Sequence, residues 1–416
     1  SDFWRSGISN KIPSYPEAIF NSNIRQSIDN VEKNPSIENI QQLLETSDND
    51  FKYVTDYAND VKSQIHGSDI TFVVNRNINY TNICSFKCNF CAFSKGRGHD
   101  HLRGKPYNIS HEEIIRRTNE AVARGATEVC LQGGIHPKYS GETYLDIVRA
   151  IRSASSSIHI HAFSPLEIDH GRKTLNISAK EFLVELKKAG LNSLPGTAAE
   201  ILHDEIRAII CPDKLTTKQW IEIIETAHSV GLPTTSTMMF GHIEKTAHVA
   251  HHLLELLNLQ KKTNGITEFV PLPFVADEAP IFRRGQARPG PTFKETILVH
   301  SVARILFQGQ INNIQGSWVK MGLPGLKFLL SSGINDIGGV LMNESITRSA
   351  GASFGQELRL EEVEGIVNEL GLNLQQRNTL YDSLNSNLRD LITLQSIPLT
   401  PINNDYHQPK KLINIT

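Results

Sequence analysis

The chain has 416 residues, with 42 Lys and Arg against 44 Asp and Glu, a net charge of −2, 39% hydrophobic residues and 21% charged ones. That balance is ordinary for a globular protein and gives no electrostatic case for nucleic acid or a membrane surface as partner. The start, Ser1-Asp2-Phe3-Trp4-Arg5, lacks the apolar core of a signal peptide, and no apolar run approaches the ~20 residues that span a bilayer. Five cysteines in a chain this long do not make a disulfide framework, so a reducing, cytoplasmic location is expected.

In chain order, residues 1–70 are polar with helical apolar spacing at Ile37, Ile40, Leu43 and Leu44 and again at Phe51, Val54, Ala58 and Val61, which predicts an N-terminal helical extension. A strand-then-helix rhythm begins at Thr71. Strands are expected at 71–80, 128–134, 159–168, 192–196, 233–241 and 268–275, with 311–318 and 337–342 able to serve as a seventh and eighth. Helices are expected at 110–124, 144–153, 178–189, 198–209, 217–230, 247–260 and 293–307. Two of them open on capping boxes, Ser110 with Glu113 and Ser178 with Glu181. Alternation of this kind predicts an α/β fold, a TIM-type (β/α) barrel over 71–395 followed by an irregular tail at 396–416. Eight units are counted, although six would also close a barrel.

Between the first strand and the first barrel helix lie Cys84, Cys88 and Cys91, a C-x3-C-x2-C triplet. Soft thiolates select iron–sulfur or zinc. A structural zinc site normally has four protein ligands, and no fourth Cys or His stands at finger-like spacing. A 4Fe–4S cluster held by three cysteines instead keeps one iron open for a small molecule. A zinc knuckle with a remote fourth ligand is the competing reading, and a cluster- or zinc-binding regulatory protein the non-enzymatic one.

The triplet, with Phe90 before its last cysteine, resembles the cluster loop of the radical S-adenosylmethionine (SAM) superfamily. The resemblance implies a 4Fe–4S cluster on Cys84, Cys88 and Cys91, whose open iron chelates the methionine end of SAM and whose electron splits SAM into methionine and an adenosyl radical. Phe90, Phe93, Gln132, Gly133, Gly134, Glu167 and Glu200 are then expected at the cofactor. Glu200 and His242 are the expected catalytic groups. In a barrel the active site lies at the carboxyl ends of the strands, and the cysteine loop, the Gly-Gly turn and Ser164-Pro165-Leu166-Glu167 all follow strands. Polar alternation along Thr234–His242 suggests a lined pocket.

Beyond the loop, Asn75–Cys84, Leu194–Glu200, Met239–His242, Asn313–Trp318 and Gly339–Ile346 are similar to the deazaflavin-synthase and menaquinone-pathway branch, most closely to its tyrosine 4-hydroxyphenyl transferases. This implies L-tyrosine and 5-amino-6-(D-ribitylamino)uracil as substrates, an electron donor, and a sister FO-synthase subunit, because one cysteine triplet supplies one half-reaction. Amide, imidazole and carboxylate partners for the substrates are expected from His136, Asn313, Gln315, Trp318, Asn335, Asn343 and Glu344. A menaquinone-pathway enzyme such as aminofutalosine synthase is the alternative within this branch. It would call for a density of Lys or Arg near strands seven and eight, where little stands apart from Lys320 and Arg348.

Overall fold

The computed structural model describes residues 3–94 and 105–409, so 410–416 of the expected tail lie outside the described residues. Strand β1 (Asp69–Val73) and β2 (Asn75–Asn79) are two halves of one first strand. Strand β2 pairs in parallel with β3 (Glu128–Gln132), and β3 with β4 (His159–Ala162). Single parallel bridges, His161 to Ser193 and Leu194 to Thr234, carry the ring to β5 (Thr234–Phe240), which pairs with β6 (Ile266–Pro273). Bridges from Phe269 to Ile314 and from Gln315 to Asp336 lead to β7 (Asp336–Gly339), and β7 pairs with β1. Eight parallel segments therefore close a (β/α) barrel of the TIM type.

The fourth and seventh units touch their neighbours at one or two residues only, so ladder hydrogen bonds hold them less than packing does. Helices wrap the ring where the sequence spacing puts them, at His111–Ala123, Ala179–Ala189, Thr217–Ser229, Thr246–Thr263 and Phe293–Phe307. Outside the barrel, helices Ser22–Lys33, Ile37–Leu44 and Asp48–His66 start on side-chain caps from Asn21, Ser36 and Ser47. Phe51, Val54 and Ala58 form the buried stripe of the third, which packs on helix Phe293–Phe307. Burying side chains of this size contributes about 1.5–3 kcal/mol each, which ties these helices to the barrel wall.

Three segments depart from the expected elements. Strand β4 stops at Ala162, and Ser164 caps a new helix, Pro165–Thr174, with Pro165 in its first turn and Glu167 completing a capping box. The expected helix at 198–209 begins only at Asp204, because Ala198 (φ 59°) and Glu200 (φ 46°) are left-handed and interrupt it. Finally, β8 (Asn373–Gln376) pairs with β1 below the ring and delivers Arg377 into the barrel interior.

Candidate active site

A cavity of about 430 Å³ runs from the cysteine loop down the barrel axis. Cys84, Cys88 and Cys91 line its mouth together with Phe90, Phe93, Gln132, Gly133 and Gly134. The loop is pinned by backbone hydrogen bonds from Ser85 N–H to Ile135 O (2.9 Å) and from Asn89 N–H to Ile210 O (2.8 Å). Ile135 N–H lies 3.3 Å from Cys84 Sγ. The two glycines are required by close approach. A Cβ on Gly133 would stand 2.3 Å from the Tyr80 ring, and one on Gly134 would stand 2.2 Å from the Ile83 carbonyl oxygen.

These features fit a cluster better than a single ion. Among the described residues, the three sulfur atoms do not all lie within 4.8 Å of one another, whereas the donor atoms of His203, Glu205 and His248 do. One zinc ion with Zn–S bonds of about 2.3 Å needs a tight set, and a cubane of four irons takes a wider one. Burial pushes the Cys88 thiol up to about 12, against the pull of nearby Lys214, and raises Cys91 as well. Metal uptake at these thiols therefore releases protons.

Three groups of charge line the cavity below. Glu167 accepts from the Tyr80 hydroxyl and from Ser164 N–H (2.6 Å), and burial raises its carboxyl above the usual range. Glu200 pairs with Lys214 at 2.8 Å, and the Lys214 ammonium lies 5.1 Å from the Phe90 ring centre, which puts this ion pair beside the cluster loop. At the floor, Arg377 bonds Asp336 (2.9 Å) and faces Glu268 (3.5 Å), while Glu128 accepts from Asn75 (2.9 Å) and Thr379 (2.7 Å). With its amide turned to donate, Gln315 reaches both Glu268 oxygens at 3.2 Å. Burial pushes the Glu268 carboxyl up to about 7 despite Arg377. Thr235, Thr237 and Met239 of β5 line the wall, as their alternation suggests.

Of the expected site residues, the three cysteines, Phe90, Phe93, Gln132, Gly133, Gly134, Glu167, Glu200, Gln315 and Glu344 share this cavity. The structure places six others outside it. The two ring nitrogens of His242 contact Met239 O (3.0 Å) and Ile243 N–H (2.8 Å). His136 turns back to Lys138 N–H (3.0 Å) and stacks on Tyr139. Asn313 and Asn335 bond each other at the amino ends of their strands, where Asn335 also accepts from Arg304 (2.7 Å). Trp318 donates to Gly339 O (2.9 Å), and Asn343 accepts from Arg76 (2.6 Å). Lys214, Glu128, Glu268 and Arg377 line the cavity without having been expected there, and Lys320, named above only for the alternative reading, lines it too. Lys320 had a sequence signal in the run Ser317-Trp318-Val319-Lys320, whereas Lys214 and Arg377 had none.

The family model described as the radical SAM superfamily matches residues 78–257, and that of the CofH/MqnC C-terminal region matches 263–389. The chain is 45% identical over 339 residues to the 5-amino-6-(D-ribitylamino)uracil–L-tyrosine 4-hydroxyphenyl transferase of Methanothermobacter thermautotrophicus, covering 82% of this chain and 91% of that protein. This chain belongs to the radical SAM 4-hydroxyphenyl transferase family. The family's member from Methanocaldococcus jannaschii is 47% identical over 331 residues, 79% of this chain and 91% of that one. The FO synthase of Mycobacterium leprae is 47% identical over 328 residues, but this chain spans only 38% of its length.

Among solved structures, methylornithine synthase (PylB) superposes with a TM-score of 0.64 at 15% identity over 88% of this chain and 99% of that one. The hydrogenase maturase HydG from Carboxydothermus hydrogenoformans gives 0.63 at 15% identity, over 86% and 81%. Both carry the fold alone. As a radical SAM enzyme the transferase family uses a 4Fe–4S cluster and SAM, which the cysteine loop and the glycine turn fit. No described helix is long and apolar enough to cross a membrane.

Proposed function

We propose that this chain joins the 4-hydroxybenzyl group of L-tyrosine to C5 of 5-amino-6-(D-ribitylamino)uracil, a step in deazaflavin formation. The observation that carries this reading is the 45–47% identity extending over about nine-tenths of the stand-alone transferases. When bound on Cys84, Cys88 and Cys91, the cluster together with SAM supplies an adenosyl radical that removes one hydrogen atom from tyrosine. The tyrosine Cα–Cβ bond then breaks, Cβ bonds to C5, and iminoacetate leaves. One electron and one proton depart from the adduct, the electron matching the one used to cleave SAM.

The chain's own residues have three tasks in this reaction. Phe90, Phe93, Gln132, the Gly133–Gly134 turn, Glu167 and Glu200 hold SAM against the cluster. The floor carboxylates Glu128 and Glu268, with Gln315, offer acceptors and a donor to the ring N–H groups and ribityl hydroxyls of the uracil. Met239, Val270, Leu272 and Leu341 line the stretch between and keep water and stray hydrogen donors from the radical. The reaction also requires an external electron donor, and a sister subunit then finishes the deazaflavin from its product. Free cysteines and an iron–sulfur cluster suit a reducing cytoplasm.

The test is anaerobic turnover of reconstituted protein with SAM, a reductant, tyrosine and the ribityluracil. A product heavier by the hydroxybenzyl group, formed with 5′-deoxyadenosine and lost in Cys88→Ala, is the expected result. Deoxyadenosine formed without the adduct would overturn the substrates while leaving the SAM chemistry.

A further inference from the structure

Three cationic side chains that are not histidine line the cavity: Lys214, Lys320 and Arg377. Lys214 is paired with Glu200, and Arg377 with Asp336 and Glu268. The Lys320 ammonium has no ion pair within 4 Å and no hydrogen bond among the described residues. Its backbone is fixed nonetheless, donating to Ser317 O (3.1 Å) and accepting from Gly7 N–H (2.6 Å). Burial pushes its amine down to about 8, while the charges of Glu344 and Glu200 pull it up.

Glu344, on the loop after β7, is its counterpart. It is 4% exposed. Its backbone N–H bonds Leu341 O (2.8 Å) and Gln356 O (3.0 Å), and one carboxylate oxygen accepts from Thr347 N–H (2.7 Å). The other oxygen, Oε2, is buried with no partner, which holds for no other carboxylate lining the cavity among the described residues. The loop is also strained around it, with Leu341 (φ 58°) and Asn343 (φ 63°) both left-handed and non-glycine. Lys320 and Glu344 line one cavity, and an ammonium without an ion pair beside a carboxylate oxygen buried without a partner, close enough to feel each other's charge yet not joined, is a costly arrangement unless something sits between them. An α-amino acid presents the complementary pair, a carboxylate and an ammonium on one carbon.

We propose that Lys320 and Glu344 form the clamp for the amino-acid end of the substrate, Lys320 taking the α-carboxylate and Glu344 the α-ammonium. The identity of that amino acid as tyrosine rests on the function proposed above, but the clamp itself rests on these two side chains. Holding Cα from both sides fixes the far end of the bond that breaks, while Cβ and the phenol point into the apolar stretch. Lys214 and Glu200 lie beside the cluster loop and already satisfy each other, so they are less suited to this task.

The test measures equilibrium binding of L-tyrosine, without reductant, to the cluster-loaded protein in the presence of SAM. Lys320→Met and Glu344→Gln are each expected to weaken tyrosine roughly 10- to 100-fold, the range for losing a charged hydrogen bond. Tyramine, which lacks the carboxylate, should be indifferent to Lys320→Met. 3-(4-Hydroxyphenyl)propionate, which lacks the ammonium, should be indifferent to Glu344→Gln. Lys320→Arg should restore part of the tyrosine affinity, which a variant that merely misfolds would not do.

SAM carries an amino-acid end too, so its dissociation constant is measured alongside and should not move. If SAM rather than tyrosine weakens, or if tyramine loses as much as tyrosine in Lys320→Met, the clamp is overturned. If another amino acid binds in place of tyrosine through the same two groups, the clamp stands and the tyrosine reading falls. If the wild-type protein binds no free amino acid, the clamp falls.

Discussion

Substituting Gly134 by alanine tests how tightly the glycine turn supports the cysteine loop. The new Cβ would stand 2.2 Å from the Ile83 carbonyl oxygen, 2.7 Å from its carbon and 2.9 Å from Cys84 Cβ. Ordinary contact begins near 3.4 Å, so roughly 1 Å must open between the turn and the chain entering the loop. The two nearest neighbours are backbone atoms, and two hydrogen bonds tie the segments together, from Gly134 N–H to Thr81 O (2.9 Å) and from Ser85 N–H to Ile135 O (2.9 Å), so neither side can swing away freely. Overpacking of this kind costs about 1–3 kcal/mol. A displacement of about 1 Å at a reacting centre costs on the order of 100-fold in rate. The assay is iron and sulfide content after reconstitution, followed by SAM affinity. Gly134→Ala should take up less cluster or bind SAM at least about tenfold more weakly, the rate cost falling on the loop geometry. Gly365→Ala is the control, an exposed position in helix Leu360–Glu369 with nothing within 4 Å of the new Cβ. It should raise stability by about 0.5–1 kcal/mol and leave the cluster alone. Full cluster content and unchanged SAM affinity in Gly134→Ala would refute the close-packing argument.

Two further outcomes are expected. Burial alone would raise the Glu113 carboxyl, but bonds from Arg116, Arg117 and the Asn403 N–H hold it down at about 2. Its stabilisation is therefore complete above about pH 5 and lost as pH falls toward 2, on the order of 1–2 kcal/mol after screening by solvent. Urea midpoints from pH 6 to pH 3 should fall less steeply in Glu113→Gln than in the wild type, and parallel slopes would count against this anchor. Asn335→Ala removes the acceptor of both Arg304 and Ile314 N–H and should cost about 1.5–3 kcal/mol of stability. Below its melting temperature the variant should keep wild-type substrate affinity, so a selective loss of ribityluracil binding would return Asn335 to the substrate site.

How far the sequence could be read depended on the range of the interactions involved. The cysteine triplet and the capping box of Ser178 with Glu181 are set by neighbours a few residues away, and spacing exposed them, whereas the Gly-Gly turn took its meaning from the resemblance. Ser164-Pro165-Leu166-Glu167 carried the same capping signal, yet its place after an apolar run masked the helix start. Asn313 misled because the seventh unit pairs only at Ile314 and Gln315, and a shift of one residue along so short a strand changes the way a side chain faces, while Asn335 stands just before β7, at its amino end. Glu200 has the composition of a helix start but a left-handed backbone, which puts its carboxylate against Lys214 instead. Arg377 enters through a four-residue strand that pairs with β1 some 300 residues earlier, and no local pattern announces such a contact.

The most direct test of the central claim is the bond itself. L-Tyrosine labelled with carbon-13 at Cβ and ribityluracil labelled at C5 would be turned over together by the reconstituted protein, and the product examined by carbon NMR. The account predicts a one-bond coupling between the two labelled carbons, with the unlabelled Cα leaving as iminoacetate and its hydrolysis product glyoxylate. A product in which the labels are not coupled, or in which Cα stays attached to Cβ, would contradict it.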